Sequence, residues 1–198
     1  MRAIIQQNEI PGLRKASGGE EALVAAAKNR DLKAFETLLF LYEKRIFNYI
    51  HRIVGQKQDA EDLAQETFIK LFRSLNRIDP DKNFRAWLFK IATNCVYDWL
   101  RKKRRNKEIL LLDDPQSSFE TINEKDPYLN IENCCDLAAA VAKIKPAYQS
   151  PVLLYYYQDF SYREIAKILS LPLNTVKIYL YRAKKELRRE LTKTGKSR

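Results

Sequence analysis

From Glu20 almost to the end of the chain, apolar residues recur every three or four positions, and the strict alternation of a half-buried strand never persists. With only five glycines in 198 residues, that rhythm predicts an all-α protein. Punctuation divides it into helices. Asp31 is placed to cap a long one, with Leu38, Leu41, Tyr42, Ile46, Tyr49, Ile50 and Ile53 on or beside one stripe and a stop at Gly55. A second is expected from about Asp59 to Leu75, with Ala60, Leu63, Ala64, Phe68 and Leu71 inward. After a loop over 76–82, a third is expected from about Asn83 to Lys103, with Phe84, Trp87, Leu88, Ile91, Cys95 and Trp99 as its core stripe. Helices resume at 136–144 and again after Ser150-Pro151, where a cap followed by proline reads as a helix start. Residues 1–19, ending in Ser17-Gly-Gly, read as a loose lead-in.

The segment 160–187 is the most specific. Ser161 can cap a short helix whose Ile165, Ala166 and Leu169 share one face. Pro172 ends it, and Asn174 or Thr175 can cap a longer helix with Val176, Leu180, Ala183 and Leu187 inward. Lys177, Arg182, Lys184, Lys185, Arg188 and Arg189 crowd that second helix. A helix, a turn and a cationic helix form a helix-turn-helix suited to the DNA major groove. An amphipathic helix pair with a solvated basic face is the plainer alternative.

Charge supports a polyanionic partner. The formal net charge is +11, distributed as +8 over residues 1–105, −6 over 106–136 and +9 over 137–198. The middle stretch lacks periodicity and contains Asp113-Asp-Pro-Gln-Ser-Ser and Asn123-Glu-Lys-Asp-Pro, so it reads as an acidic flexible linker between two small helical domains. No apolar run approaches the roughly 20 residues of a membrane span, and no secretory leader is visible. Cys95, Cys134 and Cys135 are odd in number without a disulfide framework, which suits a reducing cytoplasm.

Catalytic chemistry finds little footing. His51 is the single histidine, and no nucleophile motif accompanies it. Neither metal nor cofactor is expected: Glu61 and Asp62 sit in a helix's first turn, where the macrodipole already favours acids. Two polar faces are more informative. On the third helix Lys90, Asn94, Tyr97 and Arg101 fall opposite the core stripe, combining an amide, a phenol and cations that can hold bases and phosphate. On the second, Asp62, Gln65, Glu66, Ile69 and Phe72 mix acids with apolar groups, the composition of a protein contact.

Taken in order, Asp31-Leu-Lys-Ala-Phe-Glu, Asp59-Ala-Glu-Asp-Leu-Ala-Gln-Glu-Thr-Phe, Phe84-Arg-Ala-Trp-Leu-Phe-Lys-Ile-Ala-Thr-Asn, Asp98-Trp-Leu-Arg, Ser161-Tyr-Arg-Glu-Ile-Ala and Asn174-Thr-Val-Lys resemble the blocks of extracytoplasmic-function (ECF) sigma factors of bacterial RNA polymerase. The likeness spans about residues 20–191. It implies no enzyme but a promoter-selecting subunit, with residues 20–105 as region two, 106–136 as the linker and 137–198 as region four. Region two would grip the polymerase clamp helices through Asp62, Gln65, Glu66 and Ile69. It would also melt the −10 element, through Ile78, Lys90, Asn94, Tyr97 and Arg101. Region four would bind the polymerase flap, and would read the −35 element through Thr175, Lys177, Ile178, Tyr181 and Arg182. The implied partners are core RNA polymerase, promoter DNA and an anti-sigma factor as a further candidate. Asn174 and Ile178-Tyr179 depart from the glycine and the serine-arginine common in the family. A stand-alone helix-turn-helix regulator is the alternative reading.

Overall fold

The computed structural model describes residues 17–77, 83–108 and 140–195, which are helical with no strand among them. The expectations for residues 1–16, Ile78, Cys134-Cys135 and the linker beyond residue 108 fall outside the described residues.

The first bundle is built from four helices: α1 (Ser17–Lys28), α2 (Leu32–Val54), α3 (Lys57–Ser74) and α4 (Phe84–Glu108). The segment read as a lead-in through Gly19 is helical from Ser17. A helical glycine costs about 1 kcal/mol relative to alanine. Packing outweighs it: Val24 and Ala27 are buried, and the Tyr42 hydroxyl donates to Glu20 Oε1 at 2.7 Å. Asp31 caps α2 as expected, accepting from the Lys33 and Ala34 amides at 2.9 and 3.2 Å, an interaction of about 1 kcal/mol. Gly55 closes α2 at φ 80°, a conformation that glycine adopts without the Cβ penalty. Asn83 starts α4 by accepting the Ala86 amide at 3.0 Å.

Tyr42, Tyr49, Leu38, Ile46, Leu71, Leu88 and Phe89 anchor the core. The Thr93 hydroxyl donates its one proton to the Phe89 carbonyl at 2.7 Å, so Tyr49 donates to Thr93 at 2.8 Å. This chain satisfies a phenol that would otherwise be an orphaned polar group in the core.

The second bundle holds a helical turn at 140–143, then α5 (Pro146–Tyr156), α6 (Tyr162–Leu169) and α7 (Leu173–Gly195). Here the sequence reading needs correction. The proline that opens α5 is Pro146, and Pro151 lies inside the helix. The start is held instead by one tertiary partner and one local bond: Glu186 of α7 accepts the Lys145 amide at 3.1 Å, and the side-chain amide of Gln149, in α5 itself, donates to the Ile144 carbonyl at 3.3 Å. Ser161 forms a full capping box with Glu164. Ser170 ends α6 in the left-handed region, letting the Leu171 amide bond back to the Ala166 carbonyl at 3.0 Å. The next helix begins one residue early, at Leu173, with Val176 bonding to the Pro172 carbonyl. Asn174 and Thr175 therefore occupy its first turn and do not cap it.

The two bundles touch through α4 against α6 and α2 against α5. That contact explains a second correction. Phe89, Ala92 and Val96 are fully buried in α4, whereas Trp87, Ile91 and Trp99 are only partly covered. The covered arc is rotated toward the second bundle, because Phe89 packs edge-on against Phe160 with ring centres 5.3 Å apart.

Candidate nucleic-acid interface

Three surfaces emerge from these helices. On α3, the spacing of Leu63, Ala64, Thr67, Phe68 and Leu71 turns those residues inward, and Asp62, Gln65, Glu66 and Ile69 all face solvent as one strip. Glu66 pairs with Lys70 at 2.8 Å, and its hydrogen bond raises the Lys70 ammonium above its ordinary value. Beside the strip runs a groove of about 450 Å³ between α2 and α3, lined by Leu39, Phe47, Ala64, Gln65 and Phe68 with Glu43, Lys44 and Glu61 at its rim. Ile69 and Phe72 remain 45% and 48% exposed, although Phe72 stacks edge-on with Phe35 at 5.1 Å. The sequence reading found the acid-rich strip but missed the α2 wall of the groove. Phe47, an aromatic residue outside the expected core stripe of α2, was the available signal.

The polar face of α4 lies opposite its covered arc, as its spacing requires. Asn94 and Arg101 are exposed, Lys90 is partly so, and Arg101 is drawn toward Asp98 at 3.4 Å. Tyr97 differs. It is half-buried at the edge of the face, and burial raises its phenol above the ordinary value, with the Ser150 hydroxyl opposing that shift and Tyr179 adding to it. Ser150 and Tyr179 belong to the second bundle, so Tyr97 sits where the two bundles meet. Cys95, on the inner side, is a packed thiol that burial holds in its protonated form.

On α7, Val176, Leu180, Ala183 and Leu187 are all buried, which fixes the helix's rotation. Lys177 and the 44% exposed Tyr181 face outward, with Thr175, Ile178 and Arg182 partly covered alongside. Tyr179 turns the other way, packing on Tyr148 of α5 with ring centres 5.3 Å apart. Of the residues assigned to the polymerase, −10 and −35 contacts, Ile78 lies outside the described residues. The acids and the α4 face share the first bundle, and the cationic helix stands in the second. No helix among the described residues is long and apolar enough to cross a membrane.

Comparison with known proteins agrees with this division. Residues 39–106 match Sigma-70 region 2, and residues 136–187 match Sigma-70 region 4. The chain is 31% identical to the RNA polymerase sigma factor YlaC of Bacillus subtilis over 168 residues, covering 84% of this chain and 96% of that one. It is likewise 31% identical to the ECF RNA polymerase sigma factor SigE of Mycolicibacterium smegmatis, covering 88% and 68%. Among solved structures, the fold resembles the sigma factor RpoE in complex with the anti-sigma factor NepR from Bartonella quintana, with a TM-score of 0.65 at 23% identity over 81% of this chain and 98% of that one. CnrH in complex with the cytosolic domain of CnrY gives the same score and identity over 87% and 97%. The chain belongs to the RNA polymerase sigma factors of the ECF type.

Proposed function

We propose that the three surfaces divide the work of a promoter-selecting subunit. Residues 20–105 form the region-two domain, 106–136 the linker and 137–198 the region-four domain, with 1–19 as an N-terminal extension. Asp62, Gln65, Glu66 and Ile69 hold core RNA polymerase, with the neighbouring apolar groove widening the contact. Lys90, Asn94, Tyr97 and Arg101, together with Ile78 in the preceding loop, hold unpaired bases and phosphates of the −10 element. Lys177, Tyr181 and Arg182 reach base edges or flanking phosphates of the −35 element, with Thr175 and Ile178 beside them. The subunit works in the cytoplasm and carries out no chemistry of its own, the reaction being the polymerase's. An anti-sigma factor is a candidate partner, since the similar folds of RpoE and CnrH were captured with NepR and CnrY.

The observation that carries this reading is the exposed α3 strip of Asp62, Gln65, Glu66 and Ile69. A stand-alone helix-turn-helix regulator has no use for such a strip, which is built for a protein. Replacing Gln65 and Glu66 together with alanine removes polar groups from an exposed strip, including the Glu66 partner of Lys70, without touching the core. The double variant is expected to stay folded and to lose a competition with unmodified protein for core polymerase, by at least about tenfold for two lost polar contacts of about 1 kcal/mol or more each. Equal competition would show that another surface holds the polymerase.

A further inference from the structure

The outward side of α7 is not uniformly polar. Its buried stripe of Val176, Leu180, Ala183 and Leu187 fixes which way every other residue points. At about 100° per residue, Ile178 lies almost diametrically opposite the centre of that stripe. Among the described residues, the partly covered apolar side chains that pack on the core include Ala166, Leu171 and Tyr179, but not Ile178. Thr175 precedes Ile178 by one helical turn and Tyr181 follows it by one, so these side chains neighbour one another in a single row. That row carries a γ-methyl, a branched alkyl group and the ring of the 44% exposed Tyr181. Lys177 and Arg182 flank it, with Lys185 beyond. A lone surface isoleucine needs no account. An apolar row in the first turns of a cationic helix, on the side turned away from the core, is a specific chemical feature.

The inference rests on the proposal that α7 reads the −35 element, and it gives that reading a chemistry. Lys177 and Arg182 attract phosphates and purine acceptors whatever lies between them. An isoleucine side chain neither donates nor accepts. Set against the amino group of adenine or cytosine, or the keto group of guanine, it would strip water from a polar edge without replacing the lost hydrogen bond. The apolar group that base edges offer in the major groove is the C5 methyl of thymine. We infer that Ile178, with the Thr175 methyl and the Tyr181 ring on either side, is a thymine-methyl reader. The recognised −35 duplex therefore contains at least one A·T pair whose methyl group packs on Ile178. The row from Thr175 to Tyr181 rises about 9 Å along the helix, long enough to span neighbouring base pairs stacked about 3.4 Å apart. Discrimination at this position comes from burying the right group, and the flanking cations supply grip.

In the test, holoenzyme reconstituted with the full chain first selects a preferred −35 duplex from a randomised library, with the rest of the promoter held fixed. Each −35 thymine of the selected duplex is then replaced singly by deoxyuridine, which deletes the methyl group and leaves every hydrogen-bonding edge intact. Binding is measured by competition against the labelled, unmodified duplex. At one thymine at least, the change is expected to weaken binding about fourfold, the ratio for one methyl-sized apolar group kept out of water. Ile178→Ser should bind the thymine and deoxyuridine duplexes equally at that position. Ile178→Val, which keeps a branched alkyl group, should retain most of the discrimination. The deoxyuridine comparison on the unmodified protein needs no variant, so it decides the matter even if Ile178→Ser fails to fold. A selected duplex without thymine, indifference to every deoxyuridine, or discrimination undiminished in Ile178→Ser would each overturn the methyl reader while leaving −35 reading in place. Indifference of the unmodified holoenzyme to the entire randomised segment would remove the −35 reading itself, and this inference with it.

Discussion

The two domains use the same all-α physics to opposite ends. Region two buries large aromatic side chains between long helices, and its polar needs are met inside the core, as at Tyr49 and Thr93. Region four is smaller and depends on terminal devices: the Ser161–Glu164 box, the left-handed Ser170, and Glu186 bonding across to Lys145. The surfaces differ accordingly. Region two presents acids beside apolar groups on α3 and mixed polar groups on α4, whereas α7 presents cations around Tyr181 and Ile178. The long, well-filled first bundle leaves apolar residues such as Ile69 and Phe72 exposed. The short one surrounds its exposed Tyr181 with cations instead of acids.

The largest expected effect separates the two cores. Ile165 is fully buried in α6, so Ile165→Ala should cost about 2–5 kcal/mol through lost burial and the cavity left behind. In hydrogen exchange, α5–α7 should lose protection while the α1–α3 core keeps most of its own. Simultaneous loss throughout would mean that the domains form a single cooperative unit, and the contrast drawn above would fail.

Next comes α7, proposed to read the −35 element. Tyr181→Ala should shift the preferred −35 sequence, at about 1–3 kcal/mol for a lost base contact. Transcription by the holoenzyme on a randomised −35 library measures it, and an unchanged preference would remove Tyr181 from the reading set. Lys185 lies further along the same outer side and is exposed. Its replacement by alanine should weaken all promoters alike and lower the salt slope by about one. If Lys185→Ala changes preference instead, the helix enters the groove by a different end.

The smallest effect near neutrality is an alkaline one confined to region two. Burial is the main cause that pushes the phenols of Tyr42 and Tyr49 far above their ordinary value, with Glu20 contributing next at Tyr42. A group held protonated in the folded state contributes stability below its unfolded pKa of about 10, and that contribution is lost as pH rises beyond it. Spectrophotometric titration should show these two tyrosines ionising late, together with unfolding of the first bundle. Early, reversible ionisation of all eleven tyrosines would contradict that packing.

Helix periodicity, caps and motif order were legible in the sequence because each is a local property. Asp31, Gly55 and Ser161 act within a few residues of themselves, and the inward sets of α2, α3 and α7 follow from spacing along one helix. The α3 strip and the outward side of α7 could therefore be named in advance. Tertiary structure decided what depends on a second segment. Pro146 opens α5 while Pro151 is carried within it, with Glu186 of α7 accepting the Lys145 amide at the helix start. Ser17 and Gly19 are helical in a bundle where α1 buries Val24 and Ala27 and bonds Tyr42 through Glu20. The covered arc of α4 turned toward Phe89 and Val96 because another domain lies there, and the same contact half-buries Tyr97. One helix's sequence records which of its sides are apolar. Which neighbour covers each side is settled only when the distant segments meet.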